Sequence, residues 1–233
     1  MRSFASDNNS GVHPLVMDAL QRANEDHALG YGSDKWTDEA VAMLKESFAP
    51  ACESLFVFNG TGSNIVALQL MVRPFHSIIC AETAHIYVDE CGSPVKNTGA
   101  QIRPVLTPDG KLTPELIRPY LHGFGDQHHS QPGAIYLSQC TELGTVYTPV
   151  ELKALTSLAH EHGMYVHMDG ARIANACAYL KTSLKEITAD CGIDVLSFGG
   201  TKNGLMMGEC VVIFNEELKA SAAFVRKQSA QLA

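Results

Sequence analysis

Seven short runs in this chain are apolar almost without interruption: LFVF (55–58), SIICA (77–81), QIRPVL (101–106), AIYLS (134–138), YVHMD (165–169), DVLSF (194–198) and ECVVIF (209–214). A strand with one face in water alternates apolar and polar residues, so a strand without alternation is covered on both faces. Helical signals fall between several of these runs. TPVE (148–151) reads as a capping box, with Thr148 as cap, Pro149 in the first helical position and Glu151 reaching back. Gly163 suits the left-handed residue that follows that helix. SLKE (183–186) opens another helix in the same way, Asn215 with Glu216 and Glu217 opens the last, and KLTPELIRPYL (111–121) starts at Thr113 and Pro114. Buried strands alternating with helices predict an α/β fold, a mostly parallel seven-stranded sheet flanked by helices. Ligands in such sheets bind beyond the carboxyl ends of the strands. The residues that follow each run are therefore the candidates for function.

Composition narrows the setting. A length of 233 residues fits one large domain or two small ones. No apolar run reaches the roughly 18–20 residues of a membrane-crossing helix, and MRSFASDNNSG lacks the apolar core of a secretory signal. The seven cysteines are odd in number, scattered and never spaced CxxC, as expected of thiols in a reducing, cytoplasmic compartment. A net charge of −8 argues against a nucleic-acid surface, which needs clustered Lys and Arg.

Three strand ends carry chemistry. After LFVF comes NGTGSNIVALQLM (59–71), where glycines and a threonine open an apolar helix. Free backbone N–H groups at a helix start form an anion cradle, most simply for one phosphate; the alternative is a plain strand-to-helix turn. Ile65 stands where a dinucleotide fingerprint needs a small residue, and no P-loop lysine is present. After YVHM comes Asp169, which could cap the helix RIANACAYL or join His167, on the same strand face, in binding a metal. No third ligand is visible. After DVLSF comes SFGGTKNG (197–204), in which Lys202 stands alone among glycines and small residues. It is either a loop lysine or a lysine in a desolvated pocket, where burial disfavours the ammonium and suits it to an aldehyde. Phosphate cradle, carboxylate and lysine, in that order, are the three anchors of pyridoxal phosphate: its phosphate, its pyridinium nitrogen and its aldehyde.

The stretches FASDNNSG, YGSDKWT, FNGTGSNIVAL, ETAHIYVDECGSP, TELGTVYTP, HMDGARIANA and SFGGTKNG span nearly the whole chain. In them the chain resembles the low-specificity threonine aldolases, pyridoxal-phosphate enzymes of the aspartate-aminotransferase-like fold type I. The resemblance implies that Lys202 bonds the cofactor aldehyde, Asp169 pairs with the ring nitrogen, and Gly60 and Thr61 hold the phosphate. It places His85 against the pyridine ring. Arg172 borders the cofactor and, with Ser6, holds the substrate carboxylate. His128, in GDQHHSQ, aligns with a histidine near the substrate hydroxyl; the alternatives are His129 and an ordinary polar loop for both.

The implied reaction is a retro-aldol cleavage of L-threonine, L-allo-threonine and related β-hydroxy-α-amino acids, through an external aldimine and a quinonoid, to glycine and an aldehyde. A base such as His128 would take the β-hydroxyl proton. Family members act as homodimers or homotetramers, and they continue past residue 233 into a smaller C-terminal domain. The expected organisation is therefore an N-terminal arm and first helix (1–30), a cofactor-binding large domain (31–233) and no C-terminal small domain. Competing readings are a β-eliminating lyase or aminotransferase with the same anchors, a silent cofactor-binding module, and a nicotinamide dehydrogenase.

Overall fold

The computed structural model describes residues 3–232. Two helices come first, α1 (Pro14–Ala23) and α2 (Lys35–Ser47). They are followed by β1 (Glu53–Val57), α3 (Gly60–Met71), β2 (His76–Ala81), α4 (His85–Val88), α5 (Ser93–Thr98), β3 (Gln101–Val105), α6 (Pro114–Ile117) and β4 (Gln131–Ser138). The remainder is α7 (Pro149–Glu161), β5 (Tyr165–Gly170), α8 (Ile173–Leu180), β6 (Val195–Gly199), β7 (Glu209–Ile213) and α9 (Glu216–Gln228).

The strands form one sheet in the order β1-β7-β6-β5-β4-β2-β3. β7 runs antiparallel to both neighbours, and the other pairs are parallel. Two strands that are each antiparallel to β7 must point the same way. The carboxyl ends of β1, β2, β4, β5 and β6 therefore share one edge of the sheet. Both faces are packed. On one, Leu152, Leu155 and Ala159 of α7 and Ile173 of α8 cover Ile135, Leu137, Val166 and Met168. On the other, Val66, Ala67 and Leu70 of α3 and Leu218 of α9 cover Ile78, Tyr136, Val195 and Val211. Each Val, Leu, Ile or Met among them contributes about 1.5–3 kcal/mol on burial, which is why these strands carry apolar residues at both alternations.

The sheet, its strand count and the caps match the sequence reading. The Thr148–Glu151 box forms in both directions, Thr148 N–H donating to Glu151 at 2.7 Å and Glu151 N–H to Thr148 at 3.3 Å. Gly163 is left-handed at φ 67°, and Asn215 accepts from Glu217 N–H at 3.0 Å. Two expectations need correction. The helix expected from Thr113 lasts one α-helical turn and continues as a 3-10 turn, Arg118–Tyr120, because Pro119 has no N–H to extend it. At SLKE the reciprocal bonds form, 2.8 and 3.3 Å, but only a 3-10 turn follows. The backbone leaves helical geometry at Thr188 so that Ile187, Cys191 and Ile193 enter the core.

The N-terminal segment buries little: no residue of the 3-10 turn Asp7–Asn9, of α1 or of α2 is buried. This arm is tied down by His13 N–H, which donates to Gly204 C=O at 2.9 Å, and by Asp7. Among the described residues, no helix is long and apolar enough to cross a membrane.

Candidate active site

The shared carboxyl edge of the sheet brings the strand-end residues together. One pocket there is lined by Gly60 and Asn64 of α3, His85 of α4, Asp169 of β5, and Arg172 and Lys202 from the loops beyond β5 and β6. A wider apolar cleft, lined by Met43, Phe56, Leu205 and Met207, opens between α2 and the β6–β7 loop and gathers no comparable set of ionisable groups.

Lys202 is half-buried in a 3-10 turn, Thr201–Asn203. Because β7 returns antiparallel to β6, Gly199 pairs with Glu209, and the loop carrying Lys202 closes on that pair. The Glu209 carboxylate accepts the N–H groups of Gly200 at 2.7 Å and Thr201 at 3.4 Å, and the Asn203 amide donates to Gly199 C=O at 2.8 Å. Burial pushes the Glu209 carboxyl above its ordinary pKa, against these hydrogen bonds. The salt bridges of the described residues engage Lys111, Lys185 and Lys219, not Lys202.

Asp169 is buried at the end of β5. Burial alone would raise its pKa. Tyr136 O–H at 2.7 Å, Ala171 N–H at 3.0 Å and the Asn64 amide at 3.1 Å all donate to it, and they hold it below the usual carboxylate value. Tyr136, on the same sheet face, has its own ionisation pushed up by burial and by that carboxylate. Asp169 thus stays ionised within a network rather than capping α8, which begins only after Arg172. His167, also on that face, gives Nε2 to Ser197 Oγ at 3.0 Å and is lowered to about 4 by burial. Among the described residues no three His, Cys, Asp or Glu side chains converge as metal ligands.

At the start of α3, Asn59 accepts the Gly62 N–H at 2.8 Å. The N–H groups of Gly60 and Thr61, in the same first turn, have no intrahelical acceptor, and a Cβ on Gly60 would meet nothing within 4 Å. His85 opens α4, its Nδ1 lying 2.9 Å from buried Glu90. That hydrogen bond raises the pKa of His85 against the effect of burial.

Arg172 holds Asp7 of the arm through Nε at 2.6 Å and Nη2 at 3.1 Å. This takes one edge of the guanidinium and leaves the Nη1–Nη2 edge for another carboxylate. Ser6, the chain neighbour of Asp7, accepts Asn8 N–H at 3.2 Å and caps the turn. His128 is not brought to the pocket. It is exposed in the loop before β4, its N–H on Asp126 at 2.9 Å, whereas the pocket lies past the other end of that strand. Eight residues of strand separate the two by roughly 25 Å. His129 lies in the same loop, against Gly123.

Sequence reading missed Asp7, Asn64, Glu90, Tyr136 and Glu142. Asn64 lies one helical turn after Gly60, and Tyr136 and Ser138 share the face of His167 and Asp169; periodicity gives the face along each element, but the pairing of β4 with β5 is what sets them beside Asp169. Glu142 accepts Ser138 O–H at 2.6 Å and His85 N–H at 3.0 Å, a long-range pairing without a local signal.

The donor set fits pyridoxal phosphate: a helix start with unsatisfied N–H groups, an ionised buried carboxylate and a lysine outside the ion pairs of the described residues face one pocket. A family model described as beta-eliminating lyase matches residues 3–233. Low specificity L-threonine aldolase of Pseudomonas aeruginosa is 44% identical over 233 residues, which are 100% of this chain and 67% of that protein. The protein of the same description from Pseudomonas sp. is 43% identical over the same shares. The solved threonine aldolase of Leishmania major superimposes with a TM-score of 0.93 at 33% identity, over 100% of this chain and 68% of that one. Aspartate aminotransferase of Thermus thermophilus shares the fold, with a TM-score of 0.68 at 17% identity over 96% of this chain and 59% of that one. The chain spans about two thirds of the length of the aldolases it matches. With its fold, its strand-end pocket and a family match over almost its whole length, this chain belongs to the beta-eliminating lyase family.

Proposed function

We propose that the chain forms the cofactor-binding part of a pyridoxal-phosphate-dependent aldolase that cleaves threonine, allo-threonine and related β-hydroxy-α-amino acids to glycine and an aldehyde. The observation that carries this reading is the convergence of Gly60, Asp169 and Lys202 on one pocket, in a chain 44% identical to a threonine aldolase. When bound, pyridoxal phosphate would supply an aldehyde for Lys202 and a sink for the electron pair released on Cα–Cβ cleavage.

The residues divide the remaining work. The N–H groups of Gly60 and Thr61 hold the phosphate at the positive end of α3. Asp169, kept ionised by its three donors, keeps a proton on the ring nitrogen. His85 lies against the ring, and the open edge of Arg172 orients the substrate carboxylate, with Asp7 fixing the other edge. Within one chain His128 is out of reach, so taking the hydroxyl proton would require His128 from a second copy. That agrees with a homodimer or homotetramer, which the exposed Leu15, Met17, Leu20, Met206 and Met207 beside the Lys202 loop also support. We further propose an arm of residues 1–30 on a large domain of 31–233, and a cytoplasmic setting in keeping with seven unpaired cysteines.

The test is a visible spectrum of the purified chain with pyridoxal phosphate, beside Lys202→Ala. A band bleached by borohydride in the parent and missing from the variant supports the reading. Its absence from folded parent protein overturns it. The family description favours β-elimination as the second reading. Products separate the two: glycine with an aldehyde, or pyruvate with ammonia.

A further inference from the structure

Beneath the pocket lies a carboxylate that the mechanism above does not use. Glu90 follows α4 and is 4% exposed. Its Oε1 accepts His85 Nδ1–H at 2.9 Å and the Asn64 amide at 2.8 Å, while Oε2 is buried with no partner among the described residues. The same Asn64 amide nitrogen donates to Asp169 at 3.1 Å, and the Asn64 carbonyl accepts Ser197 O–H at 2.9 Å. Both side chains that Glu90 contacts line the pocket. A buried carboxylate with one unmatched oxygen is costly, and a residue serving the core alone would be better apolar or fully paired. Here every side-chain bond of Glu90 goes to the site.

We propose that Glu90 is a positioning residue of this site: it anchors the His85 imidazole at the pocket wall and, through Asn64, couples His85 to Asp169. The proposal rests on the reading of the pocket as a pyridoxal-phosphate site. Glu90 fixes Nδ1 of His85 as the protonated nitrogen and sets the tilt of the ring, and Asn64 spans the carboxylates on either side of it. The charged groups around His85 are Glu90 from the turn after α4, Asp169 from β5, Lys202 from the β6–β7 loop, and Glu142, which holds the His85 backbone N–H. Glu90 and Asp169 favour the imidazolium, and burial and Lys202 oppose it. The His85–Glu90 ion pair is therefore complete at lower pH and is lost as pH rises through the folded pKa of His85, and cofactor affinity should fall with it.

The experiment compares the parent chain with Glu90→Gln, using histidine-labelled NMR without cofactor and then an absorbance titration with pyridoxal phosphate across pH. His85→Asn assigns the signal. In Glu90→Gln, His85 should titrate at lower pH, and Asp169→Asn should move it the same way. Cofactor affinity should drop roughly three- to tenfold, the scale of a lost aromatic-contact geometry, and its pH limit should shift downward with His85. If Glu90→Gln does not fold, Glu90→Asp keeps the charge one methylene further back and should give intermediate values. Identical His85 titrations in parent and variant would overturn the proposal, as would a shifted His85 with unchanged affinity and pH limit. A parent chain that takes up no pyridoxal phosphate overturns the functional reading instead, and the His85 titration then decides the coupling by itself.

Discussion

Gly199 is the last residue of β6, three positions before Lys202, and its Cα faces the backbone that joins Asp169 to Arg172. A Cβ built on it would lie 2.5 Å from both Cα and the carbonyl oxygen of Ala171 and 2.8 Å from the carbonyl carbon. Carbon atoms rest at about 3.5–4.0 Å, so Gly199→Ala must part the two backbones by about 1 Å. The obstacle is main chain on both sides, with no flexible side-chain tip to swing away. The cost should fall toward the upper end of the about 1–3 kcal/mol typical of overpacking. The same displacement separates Lys202 from Asp169, and a 1 Å misplacement of reacting groups can cost on the order of 100-fold in rate. Urea unfolding followed by circular dichroism gives the first quantity. Borohydride-bleachable absorbance against pyridoxal phosphate concentration shows whether the lysine and the ring site still act together. Gly11→Ala, where a Cβ meets nothing within 4 Å, is the control and should match the parent. Gly199→Ala within about 0.5 kcal/mol of the parent, the range of an uneventful surface change, and with unaltered cofactor uptake would refute the steric reasoning.

Two further outcomes follow from the buried network. Tyr136→Phe removes one of three donors to Asp169 and should cost about 1.5–3 kcal/mol in urea unfolding, as for a hydrogen bond to a charged group; full parental stability would count against Asp169 being ionised. His167 is buried neutral, with its pKa lowered from 6.5 to about 4. Between those values the unfolded chain binds a proton that the folded chain does not, so stability should fall by about 3 kcal/mol as pH drops across that window. His167→Gln should flatten this slope, and a slope unchanged by the substitution would assign it elsewhere. His85 acts in the opposite direction, because its raised pKa contributes stability that is lost as pH rises.

What local sequence decided here is what short-range physics decides. Uninterrupted apolar runs require cover on both faces, so seven strands and an α/β layering could be read directly. Thr148, Thr113 and Asn215 cap because their bonds reach only two or three residues along the chain. Gly60, Asp169 and Lys202 could be named because a mostly parallel sheet collects its strand ends at one edge, whichever strands are neighbours. Tertiary structure alone decided the rest. His128 carried the right residue type, but only the folded chain shows that the length of β4 separates it from the pocket. The partners of the anchors come from distant positions: Asp7 reaches Arg172 across 165 residues, and Asn64 reaches Asp169 across 105. Such pairings depend on strand order and on the depth to which a helix is buried. Glu90 shows this most clearly. In the sequence it is one acidic residue after a short helix, and it becomes part of the site only because α3 and α4 pack over the same strand ends and close water away from it.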